Sequence, residues 1–233
     1  EQGVLKGATR SPLKTHTQGG EEQRRGMKRI AMARPSWDEE MRQAALDTLD
    51  SLHWVKGPQG KAFGKEFSAY SDAVQGTPCQ SGSVALWAAL RLLNIGPGDE
   101  VLVPSLTYIA TATCVSLCGA TPVFVDVEPS YWCVDLASME AARTPRTKAV
   151  IAVHLFGQMC DDDLVGWCEE HGIAYIEDAA QAHGAVAGDG RKAGGVGDVA
   201  CFSFFPAKNL AVGGEGGMMT TRREDLAARM DAL

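Results

Sequence analysis

The sequence predicts an α/β protein built on a three-layer, mostly parallel sheet, and two observations carry this prediction. Short apolar segments alternate with helical segments from residue 81 onward, which is typical of parallel strands joined by crossover helices. The apolar segments are continuous runs, which indicates strands that helices cover on both faces. With 233 residues, 45% of them hydrophobic, the chain is long enough to bury such a core.

Residues 1–26 differ in composition from the rest of the chain. They contain five glycines and only four hydrophobic residues, so we expect a disordered tail and take Met27 as the natural start. Residues 27–80 are then an N-terminal helix-and-loop segment. Residues 81–233 are the main α/β domain, which ends within a helical pattern and is therefore expected to be truncated.

Within the N-terminal segment, Ser36–Glu39 form a capping box that predicts a helix over residues 41–52. The Gly- and Pro-rich residues 56–67 predict a loop. This loop is not a phosphate-binding P-loop. Gly60 and Gly64 are too close together, and Glu66 stands where Ser or Thr is required.

The remaining elements follow from apolar runs and capping residues. Asp135 caps one helix, and Gly119 and Gly172 each end another. Helices are predicted over residues 81–93, 107–119, 135–143, 161–172 and 223–233. Strands are predicted over residues 100–104, 121–127, 148–156, 173–178, 199–205 and 216–221.

Composition excludes several classes of protein. The net charge of −7 makes the chain a poor nonspecific partner for nucleic acid or anionic membranes. No apolar run approaches the roughly 18 residues of a membrane span, and the N-terminus has no apolar signal-peptide core. Seven irregularly spaced cysteines without a CxxC pair indicate reduced, buried thiols in the cytoplasm rather than a metal site or a disulfide framework.

Two charged residues stand near the ends of predicted strands, where open α/β sheets bind ligands. Lys208 follows an apolar strand beside a glycine-rich stretch, and its amine can form a Schiff base with a carbonyl such as pyridoxal phosphate (PLP). On position alone, an ordinary surface lysine is the more common case. Asp178 ends another strand, where a protonated pyridine nitrogen could be its partner. A helix cap or a structural ion pair is the alternative.

Smaller polar groups complete this pattern. Gly82 and Ser83 begin a helix whose free N–H groups attract phosphate, although a simple serine cap explains them as well. Ser203, inside an apolar strand, is either a second phosphate donor or a satisfied core hydroxyl. Tyr108, at a helix start, could stack on a flat ring or pack in the core. Together these residues supply the contacts that PLP requires.

Four segments of the chain, residues 96–129, 144–158, 176–185 and 202–221, resemble the DegT/DnrJ/StrS sugar aminotransferases. They include "GPGDEVLVPSLTYIATATCVSLCGATPVFVDVEP", "IEDAAQAHGA" and "FSFFPAKNLAVGGEGGMMTT", and the resemblance runs from about residue 28 to residue 233. It implies the large domain of a PLP-dependent transferase of fold type I. The small C-terminal domain would be absent, and in this family a segment beyond residue 233 would contribute to the neighbouring subunit's phosphate site.

The resemblance also implies a role for each matching residue. Lys208 would hold PLP covalently and act as the catalytic base, and Asp178 would hold the pyridine nitrogen. Gln181 would contact the ring hydroxyl. Gly82, Ser83 and Ser203 would bind the phosphate, and Tyr108 would stack on the ring. For His183, which also matches, a structural hydrogen bond is expected. Ala207 replaces the serine of many members.

The implied activity is transamination from glutamate or glutamine to a nucleotide-linked keto-sugar, in the biosynthesis of amino sugars, surface polysaccharides or natural products. A cytoplasmic homodimer without a metal ion is expected. Three alternatives stay open. A dehydratase of the same family is disfavoured by Lys208, because such dehydratases carry His at this position. A nucleotide-dependent oxidoreductase is disfavoured because no GxGxxG follows the first strand. A catalytically inert PLP-binding fragment or regulator is the third.

Overall fold

A seven-stranded sheet with helices on both faces forms the body of the protein within the described residues. The computed structural model describes residues 31, 33–230 and 232, and the described residues from Ala33 onward belong to one compact unit. The expected disordered tail over residues 1–26, and Met27, lie outside the described residues.

The helices are α1 (Glu39–Asp50), α2 (Pro58–Tyr70), α3 (Gly82–Leu92), α4 (Ala110–Leu117), α5 (Leu136–Ala142), α6 (Asp163–His171) and α7 (Glu224–Met230). The strands are β1 (Gln75–Cys79), β2 (Glu100–Pro104), β3 (Thr121–Val125), β4 (Thr147–Val153), β5 (Ala174–Asp178), β6 (Val199–Ser203) and β7 (Gly217–Thr221). A short 3-10 turn spans Leu155–Gly157. All six predicted strands and all six predicted helices are present, with ends that differ by a few residues.

The strand order is β1-β7-β6-β5-β4-β2-β3. Strands β2 to β6 run parallel, whereas β7 is antiparallel to both β6 and β1. The mostly parallel sheet is therefore confirmed. The chain runs outward from β2 to β3 and then returns to the other side of β2 as β4. This reversal leaves a crevice at the carboxyl ends of β2 and β4, which is where sheets of this type bind ligands.

The three-layer arrangement is visible in the alternation of side chains along β4. Ala149 and Ile151 pack in the core shared with α3, α4 and α7. Val150 and Ala152 pack in the opposite core, shared with α5 and α6. Because both faces are covered, every second residue can be apolar on either side, which explains the continuous apolar runs in the sequence.

The predicted loop over residues 56–67 is wrong, because most of it lies in helix α2. Pro58 occupies the first turn, where its missing N–H is not needed. Phe67 then packs edge-on against Phe202 at 4.8 Å and Phe204 at 5.3 Å between ring centroids. Burial of this aromatic face outweighs the low helix propensity of Gly60 and Gly64.

Two further details differ from expectation. The cap of α1 is Asp38, whose carboxylate accepts a hydrogen bond from the Met41 N–H at 2.8 Å, and not Ser36. Strand β1 was not expected, because Gly76 and Pro78 disfavour a strand. It pairs with β7 at the sheet edge, so the segment before residue 81 contributes a strand to the main sheet.

The cysteine prediction is confirmed for burial. All seven cysteines are free thiols, and six of them are buried. In the part of the chain that the structure describes, no helix has the length and apolar character to cross a membrane.

Candidate active site

The predicted site residues gather at the carboxyl edge of the sheet, around the end of β5. Asp178 is the last residue of β5 and pairs in register with Val153 of β4 and Cys201 of β6. Its side chain is buried, as the sequence predicts for the end of a covered strand. Asp178 therefore lies at the carboxyl end of the central strand of the sheet, between β4 and β6.

Two donors hold the Asp178 carboxylate. The Thr111 hydroxyl donates to Oδ2 at 2.9 Å, and the Ala180 N–H donates to Oδ1 at 3.2 Å. Burial nevertheless raises the pKa of Asp178, against the opposing effects of Thr111, the Ala180 backbone and the positive charge of Lys208. A buried carboxylate with a raised pKa is under-compensated, so a cationic partner placed against it would be stabilised.

The Thr111 contact belongs to a hydroxyl chain that the sequence did not reveal. Thr111 is fully buried near the start of α4, and its Oγ1 lies 2.8 Å from the Thr107 Oγ1. Since the Thr111 proton is given to Asp178, Thr107 is the donor of the second bond. The two hydroxyls orient one oxygen of the carboxylate.

We expect Thr111→Val to shift the acidic limb of the pH–rate profile, for whichever reaction Asp178 assists, to higher pH. The substitution keeps the shape but removes a donor to the charged form of Asp178, so the pKa of Asp178 rises further and the carboxylate forms at higher pH. Activity near neutral pH should fall by about tenfold. Steady-state rates measured from pH 5 to 9 test this, with Thr113→Val on the exposed side of α4 as control. An unchanged pH profile would remove Thr111 from this role.

Behind Asp178 lies a fully buried pair, Glu177 and His154. The Glu177 Oε2 is 3.0 Å from the His154 Nε2, and the His154 Nδ1 accepts the Cys160 N–H at 3.2 Å. The Nε2 therefore carries the proton and donates it to Glu177. The backbone N–H of His154 donates separately to the Asp178 carbonyl at 3.1 Å. The pair thus joins the end of β4 to the end of β5.

Three backbone amides complete the surroundings of Glu177. Gly194 donates to Oε2 at 3.0 Å, while Val196 and Gly197 donate to Oε1 at 2.9 and 2.8 Å. Burial opposes ionisation, but the hydrogen bonds from His154 and the backbone amides outweigh it and hold the pKa of Glu177 below its ordinary value. Glu177 therefore anchors the glycine-rich loop before β6 to the strand that carries Asp178.

The beginning of α3 forms a cradle next to β6. Ser81 caps the helix by accepting the Val84 N–H at 3.2 Å, which leaves the Gly82 and Ser83 amides in the first turn without intrahelical partners. A Cβ on Gly82 would lie 2.7 Å from the Ser203 Cβ. Gly82 is thus required for close packing, and it brings the helix start next to the Ser203 side chain. This arrangement is suited to an anion.

Lys208 follows β6 in a turn where its N–H donates to the Phe205 carbonyl at 2.8 Å. The residue is half-buried. Its charge acts on Asp178 and on His183. The lysine and the aspartate that the sequence singled out therefore lie within electrostatic reach of each other.

The other predicted residues border the same region. Gln181 accepts the Phe156 N–H through Oε1 at 2.8 Å, which turns its NH₂ group away from Phe156. Tyr108 lies between the two threonines of the hydroxyl chain and is 69% exposed, so packing in the core is excluded. His183 packs against Phe202 and Phe204.

The predicted hydrogen bond of His183 is not formed. Neither ring nitrogen has a well-formed hydrogen bond within the described residues. The Ser203 backbone and the Asn209 side chain lie close enough to the ring to favour its protonated form. Burial lowers the pKa of His183. The aromatic neighbours therefore hold this ring in place.

The donor set fits a flat, phosphorylated, cationic heterocycle. An anion cradle at α3, an under-compensated carboxylate at β5 and a lysine after β6 meet at one edge of the sheet. The fold and site together define an α/β protein of the fold type I class of PLP-dependent transferases. The chain belongs to the DegT/DnrJ/EryC1/StrS aminotransferase family, whose model matches residues 35–233.

Two curated relatives are 47% identical to this chain. One is the UDP-N-acetyl-3-dehydro-alpha-D-glucosamine 3-aminotransferase of Acidithiobacillus ferrooxidans, over 79% of this chain and 50% of the relative. The other is the GDP-perosamine synthase of Caulobacter vibrioides, over 88% of this chain and 55% of the relative. A sugar aminotransferase structure from Streptococcus pneumoniae in its PLP form superposes with a TM-score of 0.81 at 30% identity, over 88% of this chain and 57% of that one. The chain thus spans about half the length of these relatives.

Proposed function

We propose that the protein is a PLP-dependent aminotransferase that moves an amino group from glutamate or glutamine to a nucleotide-linked keto-sugar. The observation that carries the proposal is the arrangement of Asp178, Lys208 and the α3 cradle around one edge of the sheet. The names of the two relatives support the substrate class. The pathway would be the biosynthesis of amino sugars, surface polysaccharides or amino-sugar natural products.

In this proposal each residue has a distinct task. PLP, when bound, supplies an aldehyde for the amine and a ring that delocalises the charge left after proton removal. The Lys208 amine would hold the cofactor at rest and, once the donor displaces it, take the proton from the donor's Cα. Asp178 would keep the pyridine nitrogen protonated, and the positive charge on that nitrogen would offset the unfavourable burial of the Asp178 carboxylate.

The remaining contacts would orient the ring and the phosphate. Because Gln181 Oε1 is occupied by the Phe156 N–H, the Gln181 NH₂ group would donate to the ring hydroxyl. Gly82, Ser83 and Ser203 would bind the phosphate at the helix start. Tyr108, exposed at the crevice, would stack on the ring face.

The direct test uses protein expressed from its complete natural gene. We expect a visible absorbance band from bound PLP, which glutamate or glutamine bleaches with release of the matching 2-oxo acid. Subsequent addition of nucleotide keto-sugars should give an aminated product by mass spectrometry. Loss of water without amination would indicate the dehydratase, and protein without a cofactor band would indicate the inert fragment or regulator.

We expect Asp178→Asn to separate stability from turnover. Because burial raises the pKa of Asp178, the ionised carboxylate destabilises the cofactor-free fold as the pH rises through this pKa. At pH 7 the variant should therefore be more stable than the wild type, a gain that disappears in acid. Turnover should fall by at least about a hundredfold. Chemical denaturation at pH 4 and pH 7, together with the half-reaction with glutamate, measures both. Near-normal half-reaction rates would contradict the assignment.

The quaternary state proposed is a homodimer. Apolar side chains remain exposed before and along α4, among them Leu106, Ile109 and Leu117, and exposed apolar surface of this kind is typical of an interface. Light scattering on protein from the complete gene should give twice the subunit mass. We further propose a cytoplasmic location, supported by the free thiols, and no nucleic acid or membrane partner, supported by the net charge of −7.

A further inference from the structure

Two large aromatic side chains stand together on the surface next to the site. Trp132 lies in the loop between β3 and α5, and Phe156 lies in the 3-10 turn after β4. Their rings form an edge-to-face pair with centroids 5.8 Å apart and an interplanar angle of 79°. Trp132 is 47% exposed and Phe156 is 72% exposed. We call these two residues the aromatic pair.

The backbone at both positions is strained. Trp132 has φ +61° and Phe156 has φ +54°, in the left-handed region that bulky residues rarely adopt. Neither side chain gains burial in return. Strain of this kind persists only when the surroundings enforce it, and it concentrates at ligand-binding sites.

The surroundings enforce both conformations. The Trp132 N–H donates to the Glu128 carbonyl at 2.8 Å, and the Phe156 N–H donates to the Gln181 Oε1 at 2.8 Å. The Cys133 thiol donates to the Gln158 carbonyl at 3.5 Å, which joins the two loops. The aromatic pair is therefore a preorganised surface, and little conformational freedom remains to be lost when a ligand packs on it.

The position of Phe156 indicates which kind of ligand would pack on the aromatic pair. Its amide contacts Gln181, which the proposed function places on the ring hydroxyl of PLP. In PLP that hydroxyl is on the carbon next to the one bearing the aldehyde. A molecule reacting at the aldehyde therefore extends from the cofactor near Phe156.

The charged side chains near Trp132 restrict the chemical class of this ligand further. The Glu128 carboxylate accepts the Ser130 and Tyr131 N–H groups, and Asp161 lies 3.4 Å from the Tyr131 hydroxyl. These carboxylates border the loop of Trp132 and would repel a diphosphate or a second carboxylate. An uncharged ring is not repelled, and its C–H face can pack on an aromatic surface.

We propose that the aromatic pair binds the sugar ring of the keto acceptor and contributes nothing to the amino donor. This inference rests on the proposed function and deepens it. The same cofactor must accept two unlike molecules in turn, and a contact made only by the larger one raises its affinity without obstructing the smaller.

The test compares nucleotide sugars with the bare nucleotides, using protein from the complete gene. Calorimetry measures the binding of UDP-N-acetylglucosamine against UDP, GDP-mannose against GDP, and dTDP-glucose against dTDP. The variants are Phe156→Ala and Trp132→Ala, which keep the backbone amides. Phe156→Tyr retains the ring, and Phe124→Ala, which removes another largely exposed phenylalanine on β3, is the matched control.

We expect each alanine variant to bind the preferred nucleotide sugar about tenfold more weakly and the bare nucleotide with unchanged affinity. Phe156→Tyr and Phe124→Ala should bind both like the wild type. Bleaching of the cofactor band by glutamate should keep its rate in both alanine variants, while the KM for the acceptor rises. Circular dichroism melting verifies that the variants are folded.

Two results would overturn the inference alone. Equal losses for the nucleotide and the nucleotide sugar would place the pair on the nucleotide, and unchanged affinities for both would leave it without a role in binding. In either case the wild type still transaminates. If the wild type neither binds any of these nucleotide sugars nor aminates a keto-sugar, the proposed function fails and the inference fails with it.

Discussion

Lys208→Ala should abolish the covalent link to the cofactor and lower turnover by at least about a thousandfold, because both the anchoring amine and the catalytic base are lost. The fold should be retained, since Lys208 is half-buried and lies in a turn outside the sheet. Borohydride reduction of the holoenzyme followed by peptide mapping measures the effect directly. The wild type should carry a pyridoxyl label on the peptide that contains residue 208.

The control for this experiment is Lys148→Ala, in which an exposed lysine of β4 is removed. It should keep both the label and the turnover. A label on a different lysine of the wild type would refute the assignment of Lys208.

Glu177→Gln should produce the largest loss of stability of any single conservative change at the site. The carboxylate accepts four hydrogen bonds, two on each oxygen, from His154 and three backbone amides. A glutamine must turn its NH₂ group toward two of these donors in either orientation. We expect the free energy of unfolding to fall by about 3 kcal/mol or more. Denaturant titration at pH 7 measures this.

Glu177→Gln should also remove part of the pH dependence of the free energy of unfolding. The pKa of Glu177 in the folded protein is lowered. The ionised carboxylate therefore contributes fully to the free energy of unfolding above the unfolded pKa of about 4.3, and this contribution is lost as the pH falls through the folded pKa. The difference between wild type and variant should therefore shrink in acid. Glu169→Gln, an exposed position on α6, is the matched control and should change stability little. A constant difference from pH 3 to pH 7 would show that ionisation of Glu177 does not matter.

Much of the fold could be predicted because the relevant information is local. Strand β5 is a continuous apolar run ending in an acid, and α5 begins after Asp135, whose carboxylate accepts two first-turn amides. Such signals depend on neighbours within a few residues. Helix α2 and strand β1 carry the opposite local signals, because glycines lie inside both and a proline lies inside β1. Packing of Phe67 and pairing with β7 decide their structure.

The site divides in the same way. Lys208 and Asp178 are visible in the sequence because charged residues at the ends of buried strands are uncommon. The resemblance to a family assigned Gln181 a task. Thr111 carried no comparable signal, since it lies 67 positions from Asp178 and the two meet only because of where α4 lies against the sheet. The His154–Glu177 pair and the aromatic pair were likewise not recognised.

By itself, the sequence determined the alternation of strands and helices, the caps of α3 and α5, and the chemical identity of the groups that end β5 and follow β6. These follow from hydrophobic periodicity and from the limited set of residues that can begin or end a helix. The tertiary structure alone decided which hydroxyl reaches Asp178, which amides surround Glu177, and that Trp132 and Phe156 meet. The order of strands in a sheet sets such contacts, and that order is a property of the whole packed chain.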